Sequence, residues 1–304
     1  MEKVVIINSG NESIINKYKI NTISTLKSLS PLMRIIRGVS LSINSNLISW
    51  FSRNDWIDEI DRFQTVILFD CMGMVNIAKL IDSRYTDKRK IIFYWNPIKD
   101  DSYKSIPESF EIWTSDHDDS LKYGFKYGGQ FVYEKFFANI DKSPSYDVYF
   151  VGINKGRFKS LKKIERQLKN KGLVTLFRYV DSVKSFYNKH YSHPIPYETV
   201  VKETAKANIL MEYNQKGQKG LTLRCVESII LQKKLITNNK EVLNLSLYNP
   251  QNIYIINNEI GDGFDAFVNS PFSLYTNETV SLYFFSSWLT RILSNKEIND
   301  YHSI

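Results

Sequence analysis

Residues 147–180, DVYFVGINKGRFKSLKKIERQLKNKGLVTLFRYV, decide the fold class. Asp147 to Val151 is an apolar run of strand length, and Gly152-Ile153-Asn154-Lys155-Gly156-Arg157 follows as a glycine-bearing turn. A basic helical stretch then runs to about Asn170, Gly172 breaks it, and Leu173 to Val180 is the next strand. Strand, helix, strand in that order reads as a βαβ unit of a parallel sheet. The alternation continues with helix Tyr197 to Ala205, strand Ala207 to Met211, helix Leu221 to Gln232, and strands Leu235 to Thr237 and Asn252 to Ile256.

The first half follows the same rule. Val4 to Asn8 and Thr65 to Phe69 are short apolar runs, the second ending at Asp70. A helical stretch covers Met74 to Ile81. Lys90 to Tyr94 ends at Trp95-Asn96-Pro97, and Phe110 to Trp113 stops at Thr114-Ser115-Asp116. Polar residues therefore stand at the carboxyl ends of the strands, where open α/β sheets bind their ligands. A break between the halves is expected at Asn139 to Ser145, a polar stretch holding Lys142-Ser143-Pro144-Ser145. Glu278 to Leu293 reads as one amphipathic aromatic helix.

Composition narrows the function. With 304 residues there is room for two domains of about 150 residues each. Hydrophobic residues at 43% and charged residues at 24% are ordinary globular values and exclude a disordered chain. Forty basic against 32 acidic residues give a net charge of +8, which favours nucleic acid, an anionic membrane surface or phosphorylated small molecules. Outside modest clusters at Lys155–Lys171 and Lys233–Lys240 the basic residues are dispersed, which argues against a nucleic-acid stripe. The two cysteines, Cys71 and Cys225, lie in apolar segments, so neither a disulfide framework nor a cysteine zinc site is expected. No stretch has the roughly 18–20 apolar residues of a membrane span, and the N-terminus lacks a signal-peptide core. A cytoplasmic chain is expected, with peripheral contact at the inner face of the membrane left open.

Two turns carry the chemistry. At Gly152 to Arg157 a strand ends in glycine, and Lys155, Gly156 and Arg157 head a helix, which are the parts of a phosphate-binding corner. The turn is neither a Walker loop nor a GxGxxG fingerprint, and a glycine turn with solvated cations is the plainer reading. The second is GQKGLTLRCVESIILQKKLITNNK, residues 217–240. Gly220 allows close approach to a helix N-terminus, Leu221 and Thr222 open the helix, and Arg224 has the fork to grip a phosphate. Glu227 lies further along and suits the vicinal hydroxyls of a ribose. The plainer reading makes Thr222 an N-terminal residue and Glu227 a surface charge.

These residues resemble a known family. Asp147-Val-Tyr-Phe-Val-Gly-x-x-Lys-Gly-Arg157, Gly217-Gln-x-Gly-Leu-Thr-x-Arg-x-x-Glu227 and Lys234-Leu-Ile-Thr-Asn-Asn239 are similar to bacterial glycosyltransferases of lipopolysaccharide-core and capsule assembly. The resemblance covers residues 147–257 best. It extends more weakly to Tyr94-Trp-Asn-Pro97 and to Ser115-Asp-x-x-Asp-Ser-x-x-Tyr-Gly124. It implies a GT-B architecture, with two Rossmann-like α/β domains facing a central cleft. The acceptor-side domain would span 1–140 and the donor domain 146–278, with a C-terminal helix over 279–304 packing back on the first domain. It implies that Gly152, Lys155, Gly156, Arg157, Gly220, Leu221, Thr222 and Arg224 lie near a diphosphate and Glu227 on ribose. One residue departs from the pattern: Glu212 stands where the family pattern leads one to expect an aspartate.

Asp116 and Asp118 have the D-x-D spacing of manganese-dependent transferases of the other major fold, yet acidic residues at a helix start also serve as caps. No metal is expected, and no cofactor beyond the nucleotide-diphosphate sugar as donor substrate. An inverting transfer needs a general base, and Asp70, Asp116 and Asp118 are the candidates by position; each also fits an ordinary turn or cap. His117, His190, His193 and His302 show no metal spacing, and no G-x-S-x-G occurs. The expected function is transfer of a hexose or deoxyhexose from a nucleotide sugar to a lipid-linked or lipopolysaccharide glycan at the cell surface. The alternatives are another nucleotide-sugar-binding α/β enzyme, or a non-catalytic partner subunit of the same fold.

Overall fold

The computed structural model describes residues 3–8, 12–27, 33, 36–37, 40, 47–53, 55–181, 184–215 and 219–302. The chain divides into two compact units, Met1–Tyr127 and Gly128–Ile304.

The first unit is built on a six-stranded parallel sheet. Its strands are β1 (Val4–Ile7), β2 (Asn21–Ile23), β3 (Thr65–Phe69), β4 (Arg89–Tyr94), β5 (Phe110–Thr114) and β6 (Lys126–Tyr127), in the spatial order β2-β1-β3-β4-β5-β6. Every residue of β1 and β3 is buried, as the unbroken runs VVII and TVILF require of strands covered on both faces. Register places Ile67 beside Ile91 and Phe69 beside Phe93. The chain leaves β1 for β2 on one side and returns to β3 on the other. That reversal opens a crevice at the carboxyl ends of β1 and β3. Two helices matter here, α1 (Met74–Arg84) after β3 and α2 (His117–Tyr123) after β5. The short edge strands β2 and β6 carry no apolar run and are invisible in the sequence pattern.

The second unit is a five-stranded parallel sheet in the order β11-β10-β9-β7-β8. Its strands are β7 (Tyr146–Ile153), β8 (Thr175–Val180), β9 (Ala207–Met211), β10 (Lys234–Thr237) and β11 (Ile253–Ile255). Helices α3 (Phe158–Asn170), α4 (Tyr197–Ala205) and α5 (Leu223–Leu231) connect strands of this sheet, and α6 (Phe264–Asn269) follows β11. The reversal of direction here lies between β7, β8 and β9, so the crevice forms where β7 ends in the Gly152 turn.

The aromatic tail differs from the single helix expected over Glu278–Leu293. It breaks into Asn277–Ser281 and α7 (Phe285–Leu293), because Phe284 adopts an extended conformation and pairs as a bridge with Val132. Phe131 packs against Trp288 with ring centroids 4.5 Å apart, and Tyr133 against Phe285 at 5.1 Å, both pairs tilted. This aromatic cluster ties residues 131–133, which precede the polar 139–145 stretch, into the second unit. Among the described residues no helix is long and apolar enough to cross a membrane.

Candidate functional site

Asn154 organises the first turn. Its Oδ1 accepts from the Phe158 amide at 3.1 Å, so a side chain four residues back caps α3, while Arg157 at the N-cap position offers none. Lys155 and Gly156 both take positive φ, 43° and 82°. Glycine does so freely, whereas at Lys155 the surrounding bonds must hold an uncommon backbone. At Gly152 an added Cβ would lie 3.1 Å from Phe150 Cζ and 3.4 Å from Arg157 Nη2, so the absent side chain leaves room for the guanidinium. Arg157 fills it. Its Nη1 donates to the Tyr213 carbonyl, its Nη2 to the Ile153 carbonyl at 2.5 Å and its Nε to the Asn154 carbonyl at 3.4 Å. Burial lowers its pKa from the usual arginine value. Arg157 is thus a clamp from the β7 turn to the chain leaving β9, and Lys155 is the exposed cation at this corner.

The second turn is held by a carboxylate. Glu212, directly after β9, is 3% exposed and accepts from the hydroxyls of Thr222 and Thr237. Burial raises its pKa, against the pull of the two hydroxyls. Thr222 in turn caps α5 by accepting from the Arg224 amide at 3.1 Å. The bonding continues sideways: Asn238 Oδ1 accepts from the Asn214 amide at 2.6 Å, and Asn239 Nδ2 donates to the Lys219 carbonyl at 2.7 Å. The unexpected glutamate therefore has a clear structural role, since its length lets it reach threonines on both flanking segments.

The two turns belong to one surface. β9 lies between β7 and β10, and their carboxyl ends are linked in sequence by Arg157 to Tyr213, Asn214 to Asn238, and Asn239 to Lys219. The N-termini of α3 and α5 both start from this row, and neither helix has an acidic residue in its first turn. Two helix N-termini on one polar rim suit an anion, the α3 end free of acidic neighbours in its first turn and the α5 end with the Glu212 carboxyl already at its cap. Gly220 and Leu221 lie directly before the α5 cap. Gly217, with the rest of 216–218, lies outside the described residues.

Arg224 and Glu227 occupy a different place from the one their spacing suggests. They pair with each other, Nη1 to Oε2 at 2.5 Å, with side chains 11% and 1% exposed. The approach is an ion pair off the preferred hydrogen-bonding direction, so Oε2 has no well-aligned donor. Glu227 Oε1 accepts from the Tyr197 hydroxyl at 2.9 Å, and Arg224 Nη1 also donates to Thr204 Oγ1 at 2.6 Å. The guanidinium sits 5.4 Å over the Tyr149 ring. Burial raises the Glu227 pKa, opposed by Arg224 and Tyr197. This pair joins α5 to α4 inside the unit. Glu227 is buried rather than a surface charge, and seven consecutive residues of α5, Cys225 to Leu231, are buried with it.

In the first unit Asp70 follows β3. Its Oδ1 accepts from the Trp95 amide at 2.8 Å, and its Oδ2 from the Asn96 amide at 3.3 Å and Asn96 Nδ2 at 3.0 Å. It pins the turn after β4, and burial raises its pKa against these bonds. Asp70 also lines a cavity of about 730 Å³ together with Tyr94 and the start of α1. Asp116 caps α2 by accepting from the Asp119 amide at 3.2 Å; burial, then its acidic neighbours, raises its pKa. Asp118 is half-buried in the first turn of α2. Asp119, which the family resemblance includes without a role, is 8% exposed and accepts from the Ile98 amide at 2.7 Å. Among the described residues no three His, Cys, Asp or Glu side chains gather as metal ligands.

Sequence reasoning quoted Asn154 in the first turn and Thr237, Asn238 and Asn239 in the family resemblance, but gave none of them a role. The available signal was the position of each, an amide or hydroxyl at the last residue of a strand or within two residues after it, where local side-chain bonds to backbone are favoured.

No protein-family model matches the sequence, and no curated protein matches it. Among solved structures the chain is similar to UDP-N-acetylglucosamine 2-epimerase from Rickettsia bellii, at 11% identity and TM-score 0.51, over 97% of this chain and 95% of that one. It is also similar to a second UDP-N-acetylglucosamine 2-epimerase, at 10% identity and TM-score 0.50, over the whole of both chains. A third, the Methanocaldococcus jannaschii enzyme in complex with UDP-GlcNAc and UDP, aligns at 12% identity and TM-score 0.49, over 97% of this chain and 100% of that one. The fold is GT-B-like, with two parallel-sheet α/β domains.

Proposed function

We propose that the chain is a GT-B-type enzyme that binds a nucleotide-diphosphate sugar at the carboxyl ends of β7, β9 and β10 and transfers the sugar to a glycan acceptor. The observation that carries this reading is the hydrogen-bonded row joining the 152–157 turn to the 219–222 turn, with two helix N-termini opening onto it. The diphosphate would lie across the amides of Lys155, Gly156, Gly220 and Leu221, with the Lys155 ammonium offsetting charge on the departing group. Arg157 and Arg224 hold the frame from within rather than touching phosphate. Glu227 then positions α5 through Arg224 and Tyr197, instead of gripping ribose directly.

The acceptor would be a lipid-linked or lipopolysaccharide glycan, with the excess positive charge favouring an anionic inner leaflet. Asp70 is the preferred acceptor-side base among the three candidates, because it lines a cavity and its raised pKa suits proton uptake nearer neutrality. Asp116 and Asp118 serve the start of α2.

A second reading is favoured by the fold likeness over essentially whole chains to UDP-N-acetylglucosamine 2-epimerases: a nucleotide-sugar-modifying enzyme that needs no acceptor. Incubating the chain with UDP-, GDP-, CDP-, ADP- and dTDP-sugars, with and without glycan acceptor, separates the two. Transfer predicts nucleoside diphosphate released in step with acceptor glycosylation. Altered sugar without acceptor would establish the second reading, and no binding of any donor would overturn both.

A further inference from the structure

Just beyond β8 the chain makes a loop, residues 184–193, that holds two aromatic rings out in solvent. Phe186 is 80% exposed and Tyr187 73%. Single exposed apolar residues need no explanation. Here two stand side by side at one tip, and Ile153, in the turn whose Asn154 amide donates to the Val180 carbonyl, is 56% exposed as well.

The loop is ordered by its own bonds. Its ends are tied together: Val180 bridges Ser192, the Ser192 amide donates to the Tyr179 carbonyl at 2.8 Å, and the Asp181 amide donates to the Ser192 carbonyl at 3.1 Å. Inside it the Asn188 amide donates to the Lys184 carbonyl at 2.8 Å, and the Tyr191 amide to the Asn188 carbonyl at 3.0 Å. Tyr191 stacks on Phe158 at the start of α3, ring centroids 5.2 Å apart, and its hydroxyl accepts from Asn154 Nδ2 at 3.4 Å. A compact surface loop of this kind presents its tip in a fixed shape, so little backbone freedom is left to lose on binding.

Charge decides what the rings meet. No acidic residue stands between Asp181 and Glu198, and Lys184, Lys189, His190 and His193 all fall in that interval. Lys155 and Lys159 are exposed on the adjoining turn and the head of α3. Asp181, at the base of the loop, accepts from the Lys184 amide at 2.9 Å and has Lys184 Nζ 3.7 Å away. Cations around a protruding apolar tip complement an anionic lipid surface, where aromatic rings settle at headgroup level. Other occupants fit less well. Small ligands are held in clefts that cover most of their surface, and these rings stand clear of the protein. A stable protein partner needs about 800 Å² on each side, more than two rings supply at about 150–250 Å² each.

We propose that residues 184–193 dock on an anionic lipid bilayer, with Phe186 and Tyr187 entering the interface and Lys184 and Lys189 meeting lipid phosphates. On the reading of the chain as a transferase, this contact holds the Gly152–Arg157 turn at the surface where a lipid-linked acceptor lies. That consequence rests on the reading; the docking does not.

The test sediments the whole chain, without nucleotide, with vesicles of phosphatidylcholine alone and of an equal mixture with phosphatidylglycerol. Binding to the mixed vesicles should be at least about tenfold tighter than to neutral ones, and should weaken as salt is added. Replacing both rings, Phe186→Ser with Tyr187→Ser, should weaken it by about tenfold or more. The melting temperature and nucleoside-diphosphate binding of that double variant should be unchanged, because both side chains are exposed. Lys189→Gln should weaken vesicle binding about fivefold, and Phe186→Trp should retain it. No binding to mixed vesicles, equal binding to neutral ones, or full binding by the double variant would overturn the proposal. So would loss of nucleoside-diphosphate binding in the double variant with vesicle binding intact, which would make the loop part of the nucleotide site. A native dimer that the double variant dissolves would give the face to a second copy and overturn it too. Vesicle binding is read without nucleotide, so its failure and the failure of the nucleotide site are told apart.

Discussion

Breaking the Arg224–Glu227 pair from either side should show whether these residues hold the fold or face a ligand. Arg224→Met leaves a carboxylate 1% exposed without its cation; Glu227→Gln leaves a guanidinium 11% exposed without its anion. Removing one partner of a buried pair typically costs about 3–5 kcal/mol, because the survivor stays desolvated. At roughly 2–4 °C per kcal/mol for a unit of this size, each single variant should melt roughly 6–20 °C below wild type. The double variant removes both charges, so its loss should be well below the sum of the singles, by about 2–3 kcal/mol of coupling. pH sharpens the test. Burial already holds the Glu227 pKa above its usual value. Without Arg224 the carboxylate should protonate more readily still, and a neutral side chain carries no unpaired charge. A carboxylate with a raised folded-state pKa contributes stability at low pH and loses it as pH rises through that pKa, so the defect of Arg224→Met should be smaller at pH 5 than at pH 8. Thermal unfolding at both pH values, followed by circular dichroism, reads all of this. Single variants melting within about 2 °C of wild type, additive in combination and indifferent to pH, would refute the reasoning and return Arg224 to the list of phosphate ligands.

Other perturbations separate frame from ligand contact. Lys155→Met should weaken nucleoside-diphosphate binding by about tenfold with the melting temperature unchanged, since the side chain is exposed; isothermal titration checks it. Gly156→Ala should cost about 1–2 kcal/mol, because the backbone sits at φ 82° with open space where the methyl would go; chemical denaturation reads the loss. In the first unit, burial would raise the Glu111 pKa, but bidentate bonding from Arg89 and a further bond from Lys126 hold it down at about 2. Its stabilisation is complete above its ordinary 4.5 and is lost as pH falls from there through about 2. Glu111→Gln should therefore lower the neutral-pH stability of that unit by about 2–3 kcal/mol, with the difference from wild type gone near pH 2.

The parallel sheets were legible because buried strands announce themselves as continuous apolar runs, and Thr65–Phe69 and Ala207–Met211 stand where those runs predict. The turns at Gly152 and Gly220 were legible because glycine and polar residues cluster where strands hand over to helices. The directions of the long side chains were not. Arg157, Arg224 and Glu227 have ligand-binding chemistry and sequence position, yet tertiary neighbours remote in the chain, Tyr213, Thr204 and Tyr197, claim their polar atoms. α5 has an amphipathic sequence, so nothing in its pattern announced that the helix is buried over Cys225–Leu231 with its carboxylate inside. The break at Phe284 escaped detection for a similar reason: the helical period continues through it, and only the pairing with Val132 favours an extended residue there.

The nucleotide site is tested most directly by following backbone amides of the ¹⁵N-labelled chain during titration with nucleoside-diphosphate sugars. Saturable shifts concentrated at Lys155, Gly156, Gly220, Leu221 and the first turns of α3 and α5 are expected for at least one base. Amides there that stay still with every nucleotide, or shifts confined to the first unit, would contradict a diphosphate cradle at the ends of β7, β9 and β10.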